Sequence, residues 1–345
     1  MDRHILGQTG ITTSHLGFGC VQLTSHADRC EAVSILEHAY ALGITHFDVS
    51  RIYGFGRAEG ILGEFIRGRR AQVTIATKFG IQPPAGLAGN RRVIDFAKRV
   101  LGPFPGLLRR VKQRGSQMVQ SGIFTPQAAV ESLEASLREL GTDFVDIFLL
   151  HEATLADAAS EELIETLQRQ VERGTVRCFG VASALQKLGV EAGAIPSAYK
   201  VLQFESSVAA SNVAAKNVAA KNMAALEQRG NRTLITHTVF QPLRSLPNTL
   251  TDLSILNKNF PPGLRLDPAD PNLFGDLALQ CALRANPKGV VLFSSKNRHR
   301  VTHNVRVAEL RPYGDEQLDA FASFFPAGLF PDALFPSGQG DSVTP

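Results

Sequence analysis

At 345 residues with 44% hydrophobic content, the chain holds enough apolar material for a full-sized core, room for two ordinary domains or one α/β barrel of about 250 residues with insertions. The net charge of +4 is too small to imply nucleic-acid binding, and no stretch approaches the ~20 apolar residues of a membrane span. Cys20, Cys30, Cys178 and Cys281 are scattered without a C-x-x-C pair, and Met1-Asp2-Arg3 leads into no apolar segment. These features predict a soluble cytoplasmic protein with reduced thiols.

In chain order, Ile5–Ile11 reads as a hairpin around the Thr9-Gly10 turn. Leu16–Gly19 follows as a first short strand. Arg29–Leu42 has helical spacing of Ala32, Ile35, Leu36 and Ala39. Gly43–Asp48 and Val73–Lys78 are continuous apolar runs of strand length. The connection from Gly80 to Phe124 is far longer than an ordinary loop. It carries eight Lys or Arg against one acid, Asp95, more than the whole net charge. Within it Val93–Leu101 has helical spacing, and Pro103 and Pro105 break the pattern.

Thr125–Leu140 opens on a Thr-Pro start and closes before Gly141, as N-cap, first-turn and C-terminal chemistry require. Strands at Phe144–Leu150, Val176–Val181, Lys200–Phe204, Thr233–Thr238 and Gly289–Phe293 then alternate with helices. These helices cover Ser160–Arg173, Asn212–Gln228, Pro271–Ala285 and Arg298–Leu310. Residues 208–222 hold a tandem five-residue repeat, Val-Ala-Ala-Ser-Asn followed by two Val-Ala-Ala-Lys-Asn units. Five is not a helical period, so the repeat reads as a duplicated, solvated helix start.

Short apolar strands separated by helices imply parallel strands buried on both faces. Eight βα units fit a closed (β/α)8 TIM barrel, with an N-terminal hairpin and long βα loops, better than an open sheet. The expected organisation is one domain over residues 1–325, an inserted loop at about 80–124, and a partly disordered tail over 326–345. The glycines at 54, 56 and 60 have the wrong spacing for a dinucleotide-binding turn.

Asp48, Lys78 and His151 each terminate a predicted strand, and Tyr53 lies just beyond Asp48. In a parallel barrel these ends share one rim. Their chemistry is complementary. A phenol titrates near pH 10, too high for easy proton donation at neutral pH, and a neighbouring ammonium favours its ionised form and is expected to lower that value. Lys78 supplies that cation, Asp48 holds it in place, and His151 can bond a substrate oxygen or relay a proton. A carbonyl between Tyr53 and His151 is then poised for general acid catalysis with oxyanion stabilisation.

Gly43-Ile44-Thr45-His46-Phe47-Asp48 with Tyr53-Gly54 and the following residues to Gly63, Ala76-Thr77-Lys78 and Leu149-Leu150-His151 together resemble the aldo/keto reductase family, from about Leu6 to Asn304. The resemblance implies the barrel, NADP(H) bound without a Rossmann domain, and carbonyl reduction or its reverse. It also implies cofactor contacts. Gln203 and Ser183 match positions that hold the nicotinamide carboxamide, although the family's Ser-Asn pair has become Ala182-Ser183. Phe240, in Phe240-Gln241, matches the aromatic that stacks on the nicotinamide. Ser294, Ser295, Lys296, Arg298, Arg300 and Asn304 match the loop and helix around the adenosine 2′-phosphate, but Ser294-Ser295 replaces the usual Lys-Ser order. NAD(H) therefore stands as the alternative cofactor.

The expected partner is a small carbonyl or alcohol substrate, with neither nucleic acid nor membrane. Two other functions stay open at this level: an NAD-linked sugar or alcohol dehydrogenase on the same barrel, and a nucleotide-sensing regulatory subunit resembling channel β-subunits. The basic insertion reads either as a lid that favours anionic substrates or as a solvated insertion.

Overall fold

Side chains alternate across a strand, so each strand of a closed sheet feeds two cores. The computed structural model describes residues 1, 3–25, 28–82, 120–185, 187–188, 195–206, 232–240, 270 and 272–323. In it β1 (Arg3–Ile5) and β2 (Thr12–Ser14) pair antiparallel. Their turn is closed by Leu6 N donating to Ile11 O at 2.8 Å, with Gly10 at φ +67°. This is the predicted hairpin.

The barrel begins with β3 (Leu16–Gly19), followed by α1 (Arg29–Ala41), β4 (His46–Asp48), α2 (Arg57–Phe65) and β5 (Thr74–Phe79). A small antiparallel ribbon of β6 (Ile81–Gln82) and β7 (Gln120–Ser121) brackets the long insertion. Next come α3 (Pro126–Leu140), β8 (Val145–His151), α4 (Leu155–Ala158), α5 (Glu161–Glu172), β9 (Val176–Ala182), β10 (Val201–Glu205) and β11 (Thr233–His237). The chain continues through α6 (Leu273–Ala285), β12 (Val290–Phe293), α7 (Arg298–Leu310) and α8 (Asp315–Ser323). Strands β3, β4, β5, β8, β9, β10, β11 and β12 pair in parallel in that order, and β12 returns to β3.

Inward-facing Ala76, Ile147, Leu149, Val201, Ile235, Val290 and Leu292 fill the barrel, and Leu6 and Ile11 of the hairpin join that cluster. The outward set, including Phe47, Ile75, Phe148, Leu150 and Leu202, packs with the helices in a second core. Phe79 and Phe148 stack there with ring centroids 4.8 Å apart.

The cap chemistry of α3 forms as predicted: the Thr125 side chain accepts from Ala128 N, Pro126 takes the first turn, and Gly141 adopts φ +64°. Such an N-cap is worth about 1 kcal/mol. Helix α2 has no counterpart among the predicted elements. Seven of its nine residues are buried, so no polar face advertises the helical period. Gly63 explains the close packing: a Cβ there would lie 2.6 Å from the Leu140 carbonyl oxygen. Helix α8 was likewise not anticipated. The expectations for Val93–Leu101, the 208–222 repeat, Asn212–Gln228 and the 326–345 tail concern residues outside those described. Among the described residues no helix is long and apolar enough to cross a membrane.

Candidate active site

Asp48, Lys78 and His151 occupy inward positions at the carboxyl ends of β4, β5 and β8, as the ladder registers require. Together with Tyr53 they line a cavity of about 340 Å³ at that end of the barrel. Lys78 Nζ donates to Asp48 Oδ1 at 2.5 Å and to the Val49 carbonyl at 3.1 Å. The other carboxylate oxygen, Asp48 Oδ2, accepts from Gln203 Nε2 at 2.8 Å. Asp48 and Lys78 are almost fully buried. A buried ion pair adds little net stability because desolvation offsets the attraction, so this one fixes position. Burial by itself disfavours the ammonium, but Asp48 and Tyr53 outweigh it and hold the Lys78 pKa above its ordinary value.

The chain leaves β4 through a tight turn in which Gly54, Phe55 and Gly56 all have positive φ. For Phe55, at 57°, the left-handed conformation costs on the order of 1 kcal/mol. The turn places the Tyr53 ring centroid 5.4 Å from Lys78 Nζ. Burial raises the Tyr53 pKa; the nearby Lys78 ammonium opposes that rise without cancelling it. This corrects the sequence expectation of a net lowering. Desolvation of the phenolate exceeds the attraction of an ammonium already shared with Asp48, so the protonated phenol is favoured.

The His151 ring stands edge-on to Tyr53, centroids 6.4 Å apart at 89°, and its Nδ1 lies 3.3 Å from Ser50 Oγ. Burial, reinforced by the Lys78 charge, lowers its pKa to about 3. His151 is therefore a neutral hydrogen-bonding group at neutral pH, and relay through an imidazolium is not supported.

The remaining predicted positions fall into two groups. Gln203, Phe240 and Ser294 line the cavity; Ser294 Oγ donates to the Gly19 carbonyl at 2.7 Å. Ser183 is buried beside Gln203, whose carbonyl accepts its backbone N–H. Gln241 lies outside the described residues. The second group sits at the start of α7, reached directly from Ser294. Ser295 is buried and bonds the Asn297 backbone. Lys296, Arg298 and Arg300 are exposed, and Asn304 is half-buried. Asn297 caps the helix by accepting from His299 N and Arg300 N, so the cations there are presented on their side chains.

Glu152, His237 and Thr238 also line the cavity and were not foreseen. The only available signal was their place beside inward residues at strand ends. Burial lowers the His237 pKa to about 4.

The family model described as "Aldo/keto reductase family" matches residues 15–232. This chain belongs to the aldo/keto reductase family. An uncharacterized oxidoreductase of Bacillus subtilis is 30% identical over 183 residues, covering 53% of this chain and 49% of that protein. A 6-dehydroglucose reductase of Agrobacterium fabrum is 32% identical over 49% of this aldo/keto reductase chain and 50% of its own length. The chain thus spans about half the length of the curated relatives it matches. An aldo-keto reductase from Bacillus halodurans in its holo form superposes with a TM-score of 0.67 at 20% identity, covering 96% of this chain and 98% of that one. One from Klebsiella pneumoniae, solved with NADPH, gives 0.64 at 18% identity, covering 95% and 97%. At those identities the structural likeness is one of fold.

Proposed function

We propose that this protein transfers hydride between NADP(H) and a small aldehyde or ketone, or runs the reverse alcohol oxidation, with Tyr53 as the proton donor or acceptor. The observation that carries this reading is the Lys78 ammonium, locked by Asp48 and lying 5.4 Å from the Tyr53 ring on the cavity wall.

The residues present fit the cofactor. Ser183 Oγ and Gln203 Oε1 are buried polar atoms without a partner among the described residues. Orphaned buried polar atoms are costly, and a carboxamide offers the donor and acceptor they lack. Phe240 supplies an apolar face for a nicotinamide ring. Lys296, Arg298 and Arg300 suit a 2′-phosphate through charge.

The bound reduced cofactor supplies hydride to the carbonyl carbon. The chain supplies everything else. His151, neutral, bonds the carbonyl oxygen and orients it towards Tyr53. As negative charge develops on that oxygen, Tyr53 delivers its proton. The phenolate left behind faces Lys78, whose charge stabilises it; Asp48 and Gln203 keep that ammonium from swinging away. Burial favours the protonated form of Tyr53, as an acid requires before it reacts.

The test is Tyr53→Phe. Loss of the proton donor should lower kcat/KM by about 10²- to 10⁴-fold, while fluorescence titration finds nucleotide affinity nearly unaltered. Undiminished turnover in that variant would remove Tyr53 from the mechanism.

A further inference from the structure

Strands β8 and β11 end alike. Each finishes on an inward histidine, His151 or His237, followed by a residue in the left-handed region: Glu152 at φ 63° and Thr238 at φ 73°. Continued strand alternation would turn residues 152 and 238 outward, towards the helices. Both members of each pair nonetheless line the same cavity, and the positive φ is where the chain departs from that alternation. Of the four described non-glycine residues with positive φ, two are these and a third, Phe55, follows Tyr53 closely. Backbone strain of this kind persists where the surroundings enforce it, and it gathers at functional sites.

Glu152 is pinned on both sides. Its backbone N–H donates to the Ala182 carbonyl at 2.7 Å. Its Oε2 accepts from Lys187 Nζ at 2.7 Å. Among the described residues only that oxygen is engaged, and the side chain is 44% exposed while lining the cavity, so Oε1 is open to solvent or to a ligand. Lys187 already balances the charge, which favours a neutral donor over a cation. An anionic substituent would meet the carboxylate directly. The only cation among the described cavity-lining residues is Lys78, which is bound to Asp48.

We propose that Glu152 is a specificity-determining residue that accepts a hydrogen bond from a hydroxyl on the carbon next to the substrate carbonyl. The site is thereby directed to hydroxylated carbonyl compounds and away from 2-oxo acids. This rests on the carbonyl-reducing reading above.

Three ketones that differ at one substituent test it: acetophenone, 2-hydroxyacetophenone and benzoylformate, each assayed with NADPH. A hydrogen bond to a charged group predicts a kcat/KM about tenfold or more higher for the hydroxyketone than for acetophenone, with benzoylformate the poorest. In Glu152→Leu the hydroxyketone advantage should shrink to within about twofold. Glu152→Gln, which keeps an acceptor but no charge, should preserve part of that advantage and improve benzoylformate. Calorimetric binding of 1-phenylethane-1,2-diol and 1-phenylethanol should show the same fold-change between wild type and Glu152→Leu, with circular dichroism verifying the fold.

An unaltered hydroxyl preference in Glu152→Leu, or benzoylformate as the best substrate of the wild type, overturns the proposal. Reduction of acetophenone that depends on Tyr53 but gains nothing from the hydroxyl refutes the specificity alone. If no ketone is turned over and Tyr53→Phe changes nothing, the catalytic reading fails and takes this one with it.

Discussion

One buried imidazole, His46, and two that line the cavity, His151 and His237, should make the protein acid-labile. Burial lowers the pKa of His46 to about 4, His151 to about 3 and His237 to about 4, against an ordinary 6.5. Their folded values are depressed, so the unfolded chain binds protons that the folded chain refuses. Stability is intact above about pH 7 and falls as the pH drops through 6.5 towards 4. At pH 5 an unfolded imidazole is nearly fully protonated and these three are not, which costs about 2 kcal/mol each, or about 6 kcal/mol together. That approaches the whole stability of many domains, about 5–15 kcal/mol. Glu59 and Glu205, whose carboxyl pKa values burial raises, work in the opposite direction and soften the fall. Since the chain has no Trp, urea unfolding followed by circular dichroism between pH 7.5 and 5 is the assay. His237→Gln should remove about 1 kcal/mol per pH unit from the slope over the lower part of that range. Stability that stays level or rises on acidification refutes the reasoning.

Gly63→Ala should destabilise the fold by about 2 kcal/mol or more, since its Cβ would meet Leu140 backbone oxygen at 2.6 Å; a thermal melt checks this. Arg300→Ala should weaken NADPH binding by about tenfold while leaving NADH within about twofold, read by fluorescence titration. Equal losses would place Arg300 away from the 2′-phosphate.

The barrel was legible because its strands are buried on both faces, so Ile147–Leu150 and Ile75–Ala76 mark mainly apolar segments that run on to His151 and Lys78. The meeting of Asp48, Lys78, Tyr53 and His151 followed from parallel strands sharing one rim. Helix α2 was hidden because close packing around Gly63 leaves it no polar stripe. Glu152 and Thr238 were hidden for a different reason: each follows the last residue of its strand with a positive φ, which residue type does not disclose. The direction of the Tyr53 shift depended on weighing desolvation against one shared ammonium, a balance that spacing does not reveal.

The short ribbon of Ile81–Gln82 against Gln120–Ser121 has an evolutionary consequence. It brings the chain back to nearly the point where it departed, three residues past Lys78. A detour clamped at its neck transmits little tension to the stave beneath it. Selection can therefore lengthen, shorten or rewrite the intervening stretch while the lysine stays in register with Asp48 and the barrel strands on either side.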